Sequence, residues 1–395
     1  MTQHPLPFEV LYHIIDDVDN KGDLRSISLA SRALRDEGQR ALFRHTGTLK
    51  IELPELSGNR FLDSIIASPH RLAHAVHSFE AHLVWERRPV GRKCGFDRGY
   101  MPDPTNLENI VKFIDKLERA LMLMTNLKSL SIMAMRNKVL LESVPPLPRI
   151  LRRCTFQLHE FCWEHVRSDD ELIISEFLPH QSALRSFGLL SKQCINLRNR
   201  VQYSRAFHLY TATGRLNLNL ETLCGPPEMT LGLLNCMDGK PSRIRYLRWT
   251  IGAERIGSPA ESPNLKILGK IRLFHVDYNI LNDQESEYCR ILSFPFLDDL
   301  RVLRFRTSSF RKITQEHINT LCRLPKLQVL VIVDPMGIMK AHDDQAQTVV
   351  ENLFSCCSNL EYIDVETSAT GLLQMGNTAG ITDTTFVEID GDDTG

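Results

Sequence analysis

Three histidines, His70, His74 and His77, recur at i, i+4 and i+7, the spacing that would present three imidazoles to a zinc ion from one face of a helix. No His-Glu-x-x-His motif and no nearby cysteine completes such a site, and the segment leads directly into a strand-like stretch at Val76 to Val84, so no metal is expected. Ten cysteines are spread along the chain without a Cys-x-x-Cys pair, several of them inside apolar-periodic stretches, which is the usage of a reducing compartment. The adjacent pair Cys356-Cys357 cannot easily close on itself and straddles a helix, with Cys357 on the apolar side beside Leu353 and Phe354. Basic charge gathers at Arg87, Arg88, Arg92, Lys93 and Arg98 among Trp85, Phe96 and Tyr100, a composition that can bind RNA. Gly91, Gly95, Gly99 and interspersed prolines make it read as an exposed loop, about residues 86–104, and no nucleic-acid partner is expected. A phosphate loop, a Gly-x-Ser-x-Gly elbow, paired Cys-x-x-Cys ligands and kinase signatures are all missing, so neither an enzyme nor a cofactor is expected.

The elements that carry these residues must be built by a chain of 395 residues, 43% of them hydrophobic, enough for a repeat array with a small appended module. Forty-seven basic and 48 acidic residues give a formal charge of -1, so no global field draws in nucleic acid or an anionic membrane. The start, Met1 to Pro7, has no basic, apolar signal-peptide pattern. Apolar runs such as Ala120 to Met124 and Val329 to Val333 are far below the roughly 18 residues that cross a bilayer. A soluble protein of the cytoplasm, the nucleus or both is expected, with no membrane partner.

Leu6, Val10, Leu11, Ile14, Ile15 and Val18 recur at helical spacing around Pro7, which predicts a short helix with one apolar face. Asn20-Lys21-Gly22 breaks it, Asp23 stands where it can cap the next turn, and Leu24, Ile27, Ser28 and Ser31 line a second helix. Leu34, Ala41 and Leu42 share one side of a third, over Arg32 to Phe43. Three helices in about 40 residues leave much apolar surface uncovered, so the unit wants a partner. Leu6-Pro7-Phe8-Glu9-Val10-Leu11-Tyr12-His13-Ile14-Ile15 resembles the opening of an F-box, Leu-Pro-x-Glu-x-Leu-x-x-Ile, and Asp23 to Arg32 resembles its second half, with the best likeness to fungal F-box proteins. The resemblance implies that these helices dock on the adaptor subunit of a cullin-RING ubiquitin ligase, with Leu6, Pro7, Glu9, Leu11, Ile14, Leu24 and Ser28 carrying the contact. Many F-boxes place a tryptophan after the second helix, where this chain reads Ser31-Arg32-Ala33-Leu34-Arg35.

From about residue 70 one phrase returns: leucine, two residues, an apolar residue, one residue, another apolar residue. It runs Leu127-x-x-Leu130-x-Ile132, Leu184-x-x-Phe187-x-Leu189, Ile244-x-x-Leu247-x-Trp249, Leu300-x-x-Leu303-x-Phe305, Leu327-x-x-Leu330-x-Ile332 and Leu360-x-x-Ile363-x-Val365, with partial copies at Leu220-x-x-Leu223 and Leu265-x-x-Leu268. The end of each phrase alternates as in a strand with one buried face, and a helical pattern usually precedes it. Thr105 with Glu108, and Ser168 with Glu171, have the spacing of helix openings. Thr314 can cap a third helix, with Ile313 and Ile318 as a staple, and Val349, Val350, Leu353, Phe354 and Cys357 stripe a fourth.

Repeated helix-strand units of this kind resemble a degenerate leucine-rich-repeat horseshoe with loop insertions. An ordinary α/β domain also places leucine-rich strands after helices, although no glycine-rich phosphate turn follows any strand here. The expected fold class is α/β: a short three-helix F-box over 1–46, then an irregular leucine-rich-repeat-like α/β solenoid over 47–366, then an acidic, partly disordered tail over 367–395. In a horseshoe the strand residues facing away from the core line the concave surface. They include Ser129, Ser131, Tyr246, Arg248, Thr250, Arg304, Arg306, Tyr362, Asp364 and Glu366. Of these Tyr246, Arg248, Arg304, Arg306, Tyr362 and Asp364 form the expected docking strip for a protein target. Val329, Val331 and Val333 occupy outward positions yet are apolar, which suggests a greasy pocket or a covering loop. The expected function is substrate recognition within a cullin-RING (SCF-type) ligase, with the adaptor, and through it the cullin, as partners beside an unidentified protein substrate. The alternative is an interaction scaffold that keeps F-box-like helices outside any ligase.

Overall fold

Among the described residues, eleven strands run parallel to one another in the order in which the chain makes them, and a twelfth pairs antiparallel at one edge. The computed structural model describes residues 7–52, 59–84, 104–134, 147–164, 172–189, 216–237, 243–251, 271–278, 297–306, 313–334, 344–367 and 373–375. The strands are β1 (His45–Glu52), β2 (Ser78–Val84), β3 (Ser129–Ala134), β4 (Glu160–Glu164), β5 (Ser186–Leu189), β6 (Thr222–Gly225), β7 (Tyr246–Ile251), β8 (Leu273–Tyr278), β9 (Val302–Arg306), β10 (Val329–Asp334), β11 (Tyr362–Thr367) and β12 (Leu373–Met375). Three helices precede them: α1 (Phe8–Asp16), α2 (Lys21–Ala30) and α3 (Arg32–Arg44). Between strands lie α4 (Asn59–Ala67), α5 (Pro104–Leu123), α6 (Leu147–Leu151), α7 (Pro227–Cys236), α8 (Gln315–Leu321) and α9 (Asp344–Cys356), and a π-type turn at Ile173–Phe177 serves the same purpose before β5.

The recurring phrase explains the sheet. Its first leucine lies just before the strand and its two later apolar residues point into the core, so strands of the same phrase fall into one register. The inner row Phe79, Leu130, Phe161, Phe187, Leu223, Leu247, Phe274, Leu303, Leu330 and Ile363 is continuous across β2 to β11. Every member is buried. Phe161 stacks on Phe187 at 6.0 Å and meets Phe177 edge-on at 5.0 Å, while Trp249 meets Phe274 at 5.2 Å. Helix residues such as Ile110, Leu117, Leu233, Ile318 and Leu353 enter the same core, so the helices cover one face of the sheet.

Each strand from β3 to β11 also starts with the same backbone device. Two consecutive N–H groups donate to one carbonyl of the preceding unit: Lys128 and Ser129 to His77, His159 and Glu160 to Lys128, and onward to Glu361 and Tyr362 on Gln328, at 2.7–3.2 Å. This keeps parallel neighbours aligned whatever the length of the connection between them. Gly225, at the end of β6, adopts φ +154°, and a Cβ there would stand 2.2 Å from Met229 Cε and 3.0 Å from the Leu189 carbonyl oxygen.

Several local expectations shift. Asn20, rather than Asp23, caps α2, its side-chain oxygen accepting from Gly22 and Asp23 N–H at 2.7 and 3.4 Å. α5 opens at Pro104, so Thr105 is already helical, and Glu108 instead pairs with Lys112 at 2.6 Å. Thr314 does cap α8, with His317 Nδ1 accepting from the Thr314 N–H at 3.1 Å, and Ile313 and Ile318 are both buried beside it. In α9 Leu353 and the following Cys357 are buried, but Phe354 points outward. Within the stretch expected as an acidic tail, Thr367 ends β11 and Leu373–Met375 forms β12. The expected loop at 86–103, the helix opening at Ser168 and Glu171, the partial phrase at Leu265 and Leu268, and residues 376–395 lie outside the described residues.

Candidate interaction surfaces

The N-terminal helices are held by a close crossing. Gly38 of α3 lies so near α2 that an added Cβ would come within 3.2 Å of Ser28 N and 3.3 Å of the Leu24 carbonyl oxygen. Leu24 and Ser28 are accordingly buried between the two helices, with the Ser28 hydroxyl donating to the Arg25 carbonyl at 2.7 Å. Of the residues expected to contact an adaptor, these two therefore shape the module from inside and offer little surface. Pro7 and Glu9 are exposed, Leu11 is half-buried, and Leu6 lies outside the described residues. Ile15 fills the space beneath α1 while Ile14 is 50% and Val10 41% exposed one helical turn apart, and Leu29 of α2 is 73% exposed. Arg44 ties α3 to Asp16 of α1 at 3.0 Å. The Lys21 ammonium donates to the Thr46 carbonyl at 2.6 Å, and Phe43 stacks on Phe61, which stacks on Phe79, at 5.5 and 6.0 Å. The module is thereby fastened to the start of the sheet.

On the sheet face turned away from the helices, register assembles a row that no single segment reveals. Glu80, Ser131, Cys162, Gly188, Cys224, Arg248, His275, Arg304, Val331 and Asp364 are successive neighbours across β2 to β11. Arg248 and Arg304 are thus brought into one line, separated by a single strand whose residue is His275. Tyr246 and Tyr362 belong to the adjacent row, Tyr246, Leu273, Val302, Val329 and Tyr362. Asp364 lies two strands from Arg304 with Val331 between them, and Asp364 is buried. The Tyr362 hydroxyl is pushed above its ordinary range by burial and by the Asp364 charge. Arg306 pairs in register with Val333, two residues on from the pair of Arg304 with Val331.

The stretch expected as a strand at Val76 to Val84 is β2, on Val76-x-x-Phe79-x-Ala81. Two further strands carry the phrase but escaped the reading of the sequence: Leu158-x-x-Phe161-x-Trp163 makes β4 and Ile271-x-x-Phe274-x-Val276 makes β8. The last supplies His275 and Leu273 to the basic centre.

The three spaced histidines do not share a helix face. His70 and His74 are exposed in the turns between α4 and β2, with rings 6.1 Å apart, and His77 precedes β2 half-buried. Desolvation, followed by the charges of Arg44, His45, Lys128 and Arg40, lowers the pKa of His77. No group of three or more His, Cys, Asp or Glu side chains among the described residues is arranged to hold a metal ion. Among them, too, no helix is long and apolar enough to cross a membrane. Comparison of the chain with protein-family models and with curated proteins finds no match.

Proposed function

We propose that this chain is the substrate receptor of a cullin-RING ubiquitin ligase, in which an F-box formed by α1 to α3 holds the adaptor and a leucine-rich-repeat-like solenoid holds the target. The observation that carries the reading is the apolar set Val10, Ile14 and Leu29, left exposed on a helical unit whose own core is already filled by Ile15 and Leu24. A unit this small with its apolar surface outward is built to be covered by another protein. The sequential order of the parallel strands supports the solenoid half, since each unit then touches only its neighbours and the sheet face opposite the helices is presented as one surface. The receptor contributes proximity, and the transfer chemistry belongs to other subunits.

The test is capture of the adaptor and the cullin by the full chain. Val10→Asp combined with Ile14→Asp alters only exposed positions, so it should leave the melting temperature within a few degrees and abolish adaptor capture. Leu6→Ala with Pro7→Ala should likewise abolish adaptor capture. A folded double variant that still holds the adaptor, or a parent protein that never does, refutes the proposal. Capture of the adaptor without cullin would assign the chain to a scaffold outside any ligase.

A further inference from the structure

The residue preceding each strand forms a rim along the sheet, and over β7 to β9 that rim is Arg245, Arg272 and Arg301. Their backbones are joined directly, Arg272 N–H to the Arg245 carbonyl and Arg301 N–H to the Arg272 carbonyl, both at 2.9 Å. All three side chains are exposed and make no ion pair among the described residues. Lys128 and Arg185 continue the same rim on earlier strands, interrupted by Glu221. Beyond β9 the rim becomes Gln328 and then Glu361. The cationic stretch ends where the surface row that holds Arg248, the buried His275 and Arg304 gives way to Val331 and Asp364. Between the rim and this row lie the half-buried Tyr246, Leu273 and Val302.

The geometry points to a channel, apolar along its floor and basic along both sides, that binds an acidic protein segment with apolar residues interleaved. The rim and this surface row are three residues apart along each strand, about 10 Å, and neighbouring strands are about 4.8 Å apart. An extended segment of about four residues crosses β7 to β9 with apolar side chains toward Tyr246, Leu273 and Val302 and carboxylates toward either rail. Arg248, His275 and Arg304 already interact within the protein, so the ligand adds to those contacts, whereas the rim arginines meet it directly. A nucleic acid fits less well. Its phosphates would suit the rails, but the floor has one aromatic ring among two aliphatic side chains, where bases need stacking partners. The inference deepens the receptor reading by giving the chemical class of the target segment.

The experiment titrates the full-length protein with a labelled peptide of about eight residues in which Glu and Leu alternate. Three probes accompany it: the same length of alternating Glu and Ser, the same length of alternating Lys and Leu, and a single-stranded oligonucleotide. The Glu-Leu peptide should bind at least tenfold more tightly than any of the three. Arg245→Glu with Arg272→Glu and Arg301→Glu should weaken it at least tenfold and improve Lys-Leu binding by a similar factor, a rescue that a misfolded variant would not show. Equal binding of Glu-Leu and Glu-Ser, preference for the oligonucleotide, identical behaviour of parent and variant, or no binding of the Glu-Leu peptide would each overturn the inference. Adaptor capture reads α1 and α2 alone, so failure of the receptor reading and failure of the channel are separately visible.

Discussion

Burial raises the thiols of Cys154 and Cys357 to about 12 and that of Cys236 to about 11, against 9.0 for a free thiol. Desolvation is the leading cause in each, and at Cys357 contact with Cys322, whose sulfur lies 3.4 Å away, adds to it. The sign of the linkage follows. In the unfolded chain these thiols ionise from about pH 9, while in the fold they keep their protons. Stability is therefore undiminished below pH 9 and falls as pH rises from there toward 12. Chemical unfolding between pH 8 and 11 should show a midpoint that declines only in the upper part of the range. Iodoacetamide at pH 8 should label the exposed Cys356 in the native protein and reach Cys154, Cys236 and Cys357 only after unfolding. Modification of Cys357 at the rate of Cys356 would contradict the packing at the end of α9.

At the scale of the element, β10 offers the cleanest contrast between the two sheet faces. Leu330 belongs to the buried inner row, and Val331, its neighbour, stands half-buried on the opposite face beside Arg304 and Asp364. Leu330→Ala removes core volume and should cost about 2–5 kcal/mol. Val331→Ala should cost about 1 kcal/mol or less, mostly lost strand preference. Equal losses measured by denaturant titration would mean that the valine row is covered as completely as the core. The phrase in the sequence foretold this alternation, including the outward valines. It did not foretell that Leu24 and Ser28 would turn inward, because their burial is decided by the close approach of α3 at Gly38, a contact between helices rather than a period within one.

At the scale of the whole molecule, neighbours in the sheet are neighbours in the chain, so each strand rests on the one before and after it. A strand with two partners opens only when both ladders are lost, whereas an edge strand frays from one side. Hydrogen exchange should accordingly be slowest in β7 and β8, where Leu247 and Phe274 lie in the middle of the inner row. It should be fastest in β12, three residues paired to β11 alone. Uniform protection across the sheet would indicate a single cooperative unit in place of this graded one.

By itself the sequence determined a mixed helix and strand chain, the alternation that splits each strand between core and surface, and the three N-terminal helices with their excess of apolar surface. These are properties of local spacing, readable within a dozen residues because side-chain direction follows the period of the element. Only the tertiary structure decided which surface residues stand together. Arg245, Arg272 and Arg301, or Arg248, His275 and Arg304, are separated along the chain by long connections. They become neighbours because parallel pairing sets one strand beside the next; the phrase aligns strands once they pair, but which strands pair across the long connections is decided by backbone hydrogen bonds that no local spacing records.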